Sequence, residues 1–182
     1  MKAETSVRSR QKPIRHTAAW LLLVITIWLF GSMVNAQAQT QAPAKPAMPA
    51  QFLEDTSPKA LVPTTEAFRE AVKAAGWSVL GVTNTAGILS ERGFTLHPVL
   101  VFDACSGKYS ADLLSKDETL FVASMIPCRV AVYQTSTGKV GISRMNSIAM
   151  ADMVGGHAGT VIKKSGEEME QIVKATLKKL GT

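Results

Sequence analysis

The sequence predicts an α+β fold, a mostly antiparallel sheet with helices packed on it, preceded by a signal peptide and a Pro/Ala/Gln-rich linker. Short apolar segments with strand character are interleaved with segments of helical period. The last strands are separated only by a corner and a hairpin, which favours antiparallel pairing over a doubly wound parallel sheet. A long amphipathic segment at about 166–180 completes the pattern as a helix with one apolar stripe.

The N-terminus has the pattern of a bacterial export signal at residues 1–36. A basic region from Lys2 to His16 precedes an apolar run from Ala18 to Phe30, and small residues allow cleavage after Ala36 or Ala38. The apolar run is about 13 residues long, short of the ~20 that span a bilayer. We therefore expect a periplasmic or secreted protein with no membrane attachment after cleavage. An uncleaved anchor in the inner membrane is the alternative.

Residues 37–63 form the second predicted region. They are rich in Gln, Ala and Pro and offer little apolar surface to bury, so we expect a disordered linker. A single α+β domain is predicted at 64–182, which is long enough to bury one core.

The net charge of +6 is concentrated in the export signal. Residues 1–36 hold five basic groups and one acidic group, a balance of +4, and the remainder holds 15 basic and 13 acidic groups, a balance of +2. A nearly neutral domain has no electrostatic footprint for phosphate backbones, so nucleic acid is not an expected partner.

The domain's elements are predicted in order from caps, periodicity and turn residues. The first half comprises a helix at 66–75 capped by Thr64 or Thr65, a strand at 77–83, a helical turn at 88–92, a strand at 97–104 and a helix at 106–115. The second half comprises strands at 119–124 and 128–135, a hairpin turn at 135–139, a strand at 140–143, a helix at 148–154 and a helix at 166–180 that begins with the capping box Ser165–Glu168.

Cys105 and Cys128 are the only cysteines; Cys105 closes one predicted strand and Cys128 begins another. An exported chain can form disulfides, and a bridge here would close a loop of about 24 residues, worth roughly 3 kcal/mol. Two separate buried thiols are the second interpretation. A redox-active or ligand-binding pair is the third, since the charge of Arg129 could lower the pKa of Cys128.

The corner around the cysteines is also the candidate pocket. Asp103, Pro127, Arg129 and Tyr133 flank the two thiols in the sequence and are the side chains that we expect to line it. No residue is predicted to be catalytic, because the sequence has no nucleophile elbow of the GxSxG kind.

Methionine is the next candidate ligand. Met125, Met145, Met150 and Met153, with His157 nearby, have the soft donors that suit Cu(I). The simpler interpretation is that these methionines fill the core. His97 and His157 lack the spacing of a zinc site. We therefore expect neither a bound metal nor a cofactor.

Five segments of the chain resemble the domain-of-unknown-function 302 family. They are Phe68–Val72, Gly76–Val79, Val99–Cys105, Pro127–Tyr133 and Lys139–Asn146. The resemblance covers a core at about 68–156, with the C-terminal helix outside it. It implies a compact α+β domain that can form a homodimer, and it implies no established activity.

Two functions follow from these observations. The first is a non-catalytic periplasmic module that binds an unidentified small molecule or protein. The second is a thiol-dependent redox or sulfur-handling protein that uses Cys105 and Cys128.

Overall fold

The computed structural model describes residues 51–182, and the predicted signal peptide at 1–36 and the first part of the predicted linker lie outside them. The strands are β1 (Phe52–Ser57), β2 (Ser78–Asn84), β3 (Val99–Cys105), β4 (Cys128–Gln134) and β5 (Val140–Met145). The helices are α1 (Leu61–Ala74), α2 (Thr85–Ser90), α3 (Gly107–Leu114), a 3₁₀ helix (Asp117–Met125), α4 (Ser147–Val154) and α5 (Gly156–Leu180).

The strands form one five-stranded sheet in the order β1-β5-β4-β3-β2, and every neighbouring pair is antiparallel. The predicted hairpin joins β4 to β5, with Val132 opposite Ile142. The expected α+β fold is confirmed.

Helices α1 and α5 cover one face of the sheet. Phe68 and Val72 of α1 and Ile172 of α5 pack on Phe102 and Val132 of the central strands, all of them buried. A second, smaller apolar cluster lies where α3, the 3₁₀ helix, α4 and the start of α5 meet. Within residues 51–182, none of the helices combines the length and hydropathy needed to cross a bilayer.

Strand β1 and the start of α1 occupy residues that were predicted to be linker. β1 is an edge strand that pairs along its length with β5, a long-range partner that composition does not reveal. Helix α1 begins at Leu61, with Pro63 in its first turn, where a missing N–H is tolerated. Thr64 is consequently not a cap: it is buried inside the helix, and its hydroxyl lies 2.6 Å from that of Ser57.

The strand predicted at 119–124 is wrong, because this segment belongs to the 3₁₀ helix. Its apolar residues suggested a strand, but Val122 packs into the second cluster while the hydroxyl of Thr119 donates to the carbonyl oxygen of Leu113 at 2.5 Å. These local contacts replace pairing with a neighbouring strand.

Helix α5 starts at Gly156, nine residues before Ser165 of the predicted capping box, so Ser165 is a buried mid-helix residue and not a cap. Two of its glycines, Gly159 and Gly166, are packing positions against α4. A Cβ at Gly159 would lie 2.5 Å from the carbonyl oxygen of Ala151, and one at Gly166 would lie 3.0 Å from the Cβ of Ser147. Only glycine lets the two helices approach this closely.

Candidate functional site

A cleft opens where β4 begins and β5 ends, and we call it the β4–β5 cleft. It has a volume of about 100 Å³, room for several waters, because one water needs roughly 10–15 Å³. Its walls come from the end of the 3₁₀ helix, the two strands, α4 and α5, and they comprise Ser124, Met125, Pro127, Cys128, Arg129, Val130, Arg144, Met145, Ser147, Met150 and Met169.

A smaller cavity lies on the other side of Cys128, between β3, α3 and α5. Its volume of about 20 Å³ fits little more than one water. Both cysteines line it, together with Trp77, Tyr109 and Ser165. The sequence prediction that the two thiols approach the same corner therefore has a structural counterpart.

Neither cysteine is in a disulfide; both are free thiols and partly buried. The Sγ of Cys105 lies 3.2 Å from the hydroxyl of Ser110, and the Sγ of Cys128 lies 4.0 Å from that of Ser165. Each thiol thus has a neutral hydroxyl as its neighbour.

The expectation that Arg129 lowers the pKa of Cys128 is wrong. Burial raises the pKa of the Cys128 thiol above its ordinary value, and the hydroxyl of Ser165 only partly opposes this effect. Arg129 instead points its Nε at the carboxylate of Asp103, 3.2 Å away, on a largely exposed side chain. At neutral pH, Cys128 is therefore a protonated thiol and a weak nucleophile.

The four predicted pocket residues divide between two places. Pro127 and Arg129 line the β4–β5 cleft, and Asp103 reaches its edge through Arg129. Tyr133 lies farther along β4, opposite Gly141, where a Cβ would come within 2.7 Å of the tyrosine ring. Burial and the neighbouring carboxylate of Glu54 raise the pKa of Tyr133 to about 12.

Arg144 was not predicted, and it is the most buried charge at the cleft. Its Nη1 donates to Asp55 of β1 at 2.5 Å, its Nε donates to Glu170 of α5 at 2.9 Å, and its Nη2 bonds the second oxygen of Glu170. The side chain is 5% exposed. This guanidinium connects β5 to the edge strand β1 and to α5. Its single positive charge is shared by two carboxylates.

The fold brings only some of the predicted Cu(I) donors together. Met125, Met145 and Met150 line the cleft, but Met153 is 73% exposed elsewhere on α4. His157 lies away from the cleft, where its Nε2 is 2.9 Å from Asp112. The sulfur that completes the lining is Met169 of α5, which the sequence marked only as core.

The described residues contain no group of three or more His, Cys, Asp or Glu side chains that could hold a metal ion. Any metal chemistry at the cleft depends on sulfur.

The model of one protein family, described as Domain of unknown function DUF302, matches residues 54–178. The chain belongs to the DUF302 family. The match confirms the resemblance and extends it beyond the predicted core at 68–156, so that it takes in most of β1 and nearly all of α5. No curated protein matches the chain.

A solved structure supports the fold of this DUF302 chain. It is the crystal structure of an uncharacterized conserved protein DUF302 from Bacillus stearothermophilus. The two are 22% identical with a TM-score of 0.59, and the alignment covers 71% of this chain and 97% of the other. At this identity the likeness establishes the fold and carries no activity.

Three site residues of this DUF302 chain escaped sequence reasoning: Arg144, Ser165 and Met169. Each reaches the site from an element whose partner is distant in sequence. Of the three, only Arg144 could have been recognised from the sequence, because a charge inside an otherwise apolar strand needs a buried partner.

Proposed function

We propose that this protein is an exported, non-catalytic binding module whose ligand occupies the β4–β5 cleft. The observation that supports this proposal is the cleft itself, an open space of about 100 Å³ with a mostly apolar lining beside the start of β4. Concave, largely apolar sites with a few polar groups are the usual form of small-ligand sites.

The composition of the lining favours binding over catalysis. None of the cleft-lining residues is a histidine, aspartate or glutamate, so they supply no general base near neutral pH. The two arginines are held by carboxylates, and Cys128 is a protonated thiol. The cleft offers shape and polarisable surface more than reactive groups.

Fragment binding observed by NMR tests this proposal. A mixture of neutral and anionic fragments is added to the isotope-labelled chain, and amide shifts are followed. We expect hits to shift amides of the cleft, including those of Cys128 and Met150. Shifts scattered over the surface, or the absence of any hit, would contradict it.

A matched pair of variants on α4 sharpens the test. Met150→Trp fills the cleft and should abolish the shifts, whereas Met153→Trp adds the same ring at an exposed position and should leave them unchanged. Equal effects of both variants would show that the fragments bind elsewhere.

Thiol chemistry is the second candidate function, because both cysteines line the same small cavity. Native protein is alkylated with and without mild reductant and then weighed. Labelling that needs prior reduction would support a redox pair and count against the structure's free thiols. Equal labelling in both samples would contradict the redox function.

A further inference from the structure

Sulfur is concentrated at the β4–β5 cleft. Of the five methionines among residues 51–182, four line it, and so does Cys128. Each sulfur comes from a different element: Met125 from the end of the 3₁₀ helix, Cys128 from the start of β4, Met145 from the end of β5, Met150 from α4 and Met169 from α5. The fold thus collects five soft donors from distant parts of the chain.

Core packing accounts for two of the four methionines, Met169 in the main core and Met125 against the second cluster. Met169 is 5% exposed and belongs to the main core. Met145 is 47% exposed, and Met125 and Met150 are only partly buried. Met145 and Met150 belong to neither core cluster, and both line the cleft.

The charges around the cleft do not oppose a cation. Arg144 is bound by Asp55 and Glu170, which leaves this group of three with one net negative charge. Arg129 is paired with Asp103 on the outer side. Neither arginine therefore remains an uncompensated positive charge facing the cleft.

We propose that the β4–β5 cleft binds Cu(I) through methionine thioethers and the sulfur of Cys128. Thioethers and thiolates are the donors that select Cu(I) among biological metals. The lining lacks the imidazole and carboxylate groups that zinc and calcium prefer. This inference rests on the proposed function, because it names the ligand class of the same cleft.

Binding involves no electron transfer. The S–H bond of Cys128 breaks as the sulfur–copper bond forms, and the proton passes to solvent. Copper enters and stays as Cu(I), so neither an oxidant nor a reductant takes part. The methionine sulfurs donate lone pairs to copper, and no bond to these sulfurs breaks.

Ag(I), a redox-stable probe with the same preference for sulfur, tests which donors take part. The chain is labelled with ¹³C in the methionine methyl groups and titrated with Ag(I). We expect the signals of Met125, Met145 and Met150 to move together and saturate at one equivalent, while that of Met153 stays in place. Movement of Met153 alone, or of none of the four signals, would overturn the proposal.

Competition with the chromophoric chelator bathocuproine disulfonate, without oxygen, measures the affinity for Cu(I) itself. The double variant Met125→Leu/Met150→Leu keeps the volume and removes two sulfurs, and we expect it to bind at least about tenfold more weakly. Met153→Leu is the control and should match the unchanged chain. Thermal melts establish that each variant is folded, since leucine for methionine costs little stability.

The outcomes separate this inference from the function on which it rests. If fragments bind at the cleft and Cu(I) does not, the copper site is wrong and the binding module stands. If neither binds, both are wrong. Undiminished Cu(I) affinity in the double leucine variant would likewise refute a methionine site.

Discussion

Tyr133 shows how one residue on the sheet responds to its surroundings. Its ring lies against Gly141, and burial together with the carboxylate of Glu54 raises the pKa of its hydroxyl from 10.0 to about 12. Because the folded protein holds this proton more tightly than the unfolded chain, Tyr133 contributes stability below pH 10. That contribution is lost as the pH rises towards 12.

The measurement is a spectrophotometric titration of phenolate absorbance in a Tyr109→Phe background, which leaves Tyr133 as the chain's remaining tyrosine. We expect a midpoint near 12, and Glu54→Gln should lower it, because the carboxylate is one cause of the shift. A midpoint near 10.0 in the folded protein would contradict the described surroundings of Tyr133.

Arg144 is the residue whose loss should cost most stability at the cleft. Arg144→Met removes a guanidinium that is 5% exposed and leaves Asp55 and Glu170 facing each other. We expect the free energy of unfolding to fall by about 3 kcal/mol, as for a broken buried ion pair. Urea denaturation measures it.

Arg129→Met is the matched control, since that side chain is 67% exposed and has Asp103 as its ion-pair partner. Surface pairs contribute less than about 1 kcal/mol, so this variant should unfold almost like the unchanged chain. If both variants lost similar amounts of unfolding free energy, burial would not be the reason that the ion pairs of Arg144 stabilise the fold.

At the scale of elements, the contact between α4 and α5 depends on a glycine. Gly159→Ala would place a Cβ 2.5 Å from the carbonyl oxygen of Ala151 and force the helices apart. We expect a loss of about 2 kcal/mol in the free energy of unfolding, as for overpacked cores. Thermal and urea denaturation check it.

Gly107→Ala provides the comparison on α3, where an added Cβ meets nothing within 4 Å. Here alanine should stabilise the protein by roughly 0.5 kcal/mol, because it restricts the unfolded chain. If Gly159→Ala were equally harmless, the close approach of α4 and α5 would be wrong.

At the scale of the whole molecule, we propose export followed by cleavage. The full-length chain, expressed in a bacterial host, should appear in the periplasmic fraction with its mass reduced by residues 1–36 or 1–38, because the N-terminus has the pattern of a cleavable signal. Mass spectrometry of the fractions measures this. Unprocessed protein in the inner membrane would support the anchor instead.

We also propose that the folded protein self-associates as a homodimer, which the family resemblance implies. Large apolar side chains such as Leu80 and Phe121, 64% and 65% exposed, leave surface that a second copy could cover. Light scattering over a dilution series should give about twice the mass of one chain. The mass of a single chain at every concentration would contradict it.

The sequence predicted what depends on local pattern. The hairpin between β4 and β5, the strand ending at Cys105 and the amphipathic half of α5 all have periodicity or turn residues that identify them. The confirmed α+β class follows from those elements.

What the sequence could not predict depends on partners far along the chain. β1 is a strand because β5 is beside it, and the segment at 119–124 is helical because Leu113 and the second cluster are near. The cleft was predicted only in part for the same reason: Arg144 reaches Cys128 through the pairing of β5 with β4, and Met169 reaches it only when α5 packs on the sheet. Cys128 itself was found because a cysteine is rare enough to attract attention.

Helix α5 has a consequence for how the protein is made. It follows every strand in the chain, yet it supplies Ile172 and Val173 to the core and Glu170 to Arg144. A ribosome therefore synthesises all five strands before α5, one of the two helices that cover the sheet. Until α5 has been made, α1 is the one of these two helices available to cover the apolar face of the strands, so part of that face stays exposed to water during synthesis.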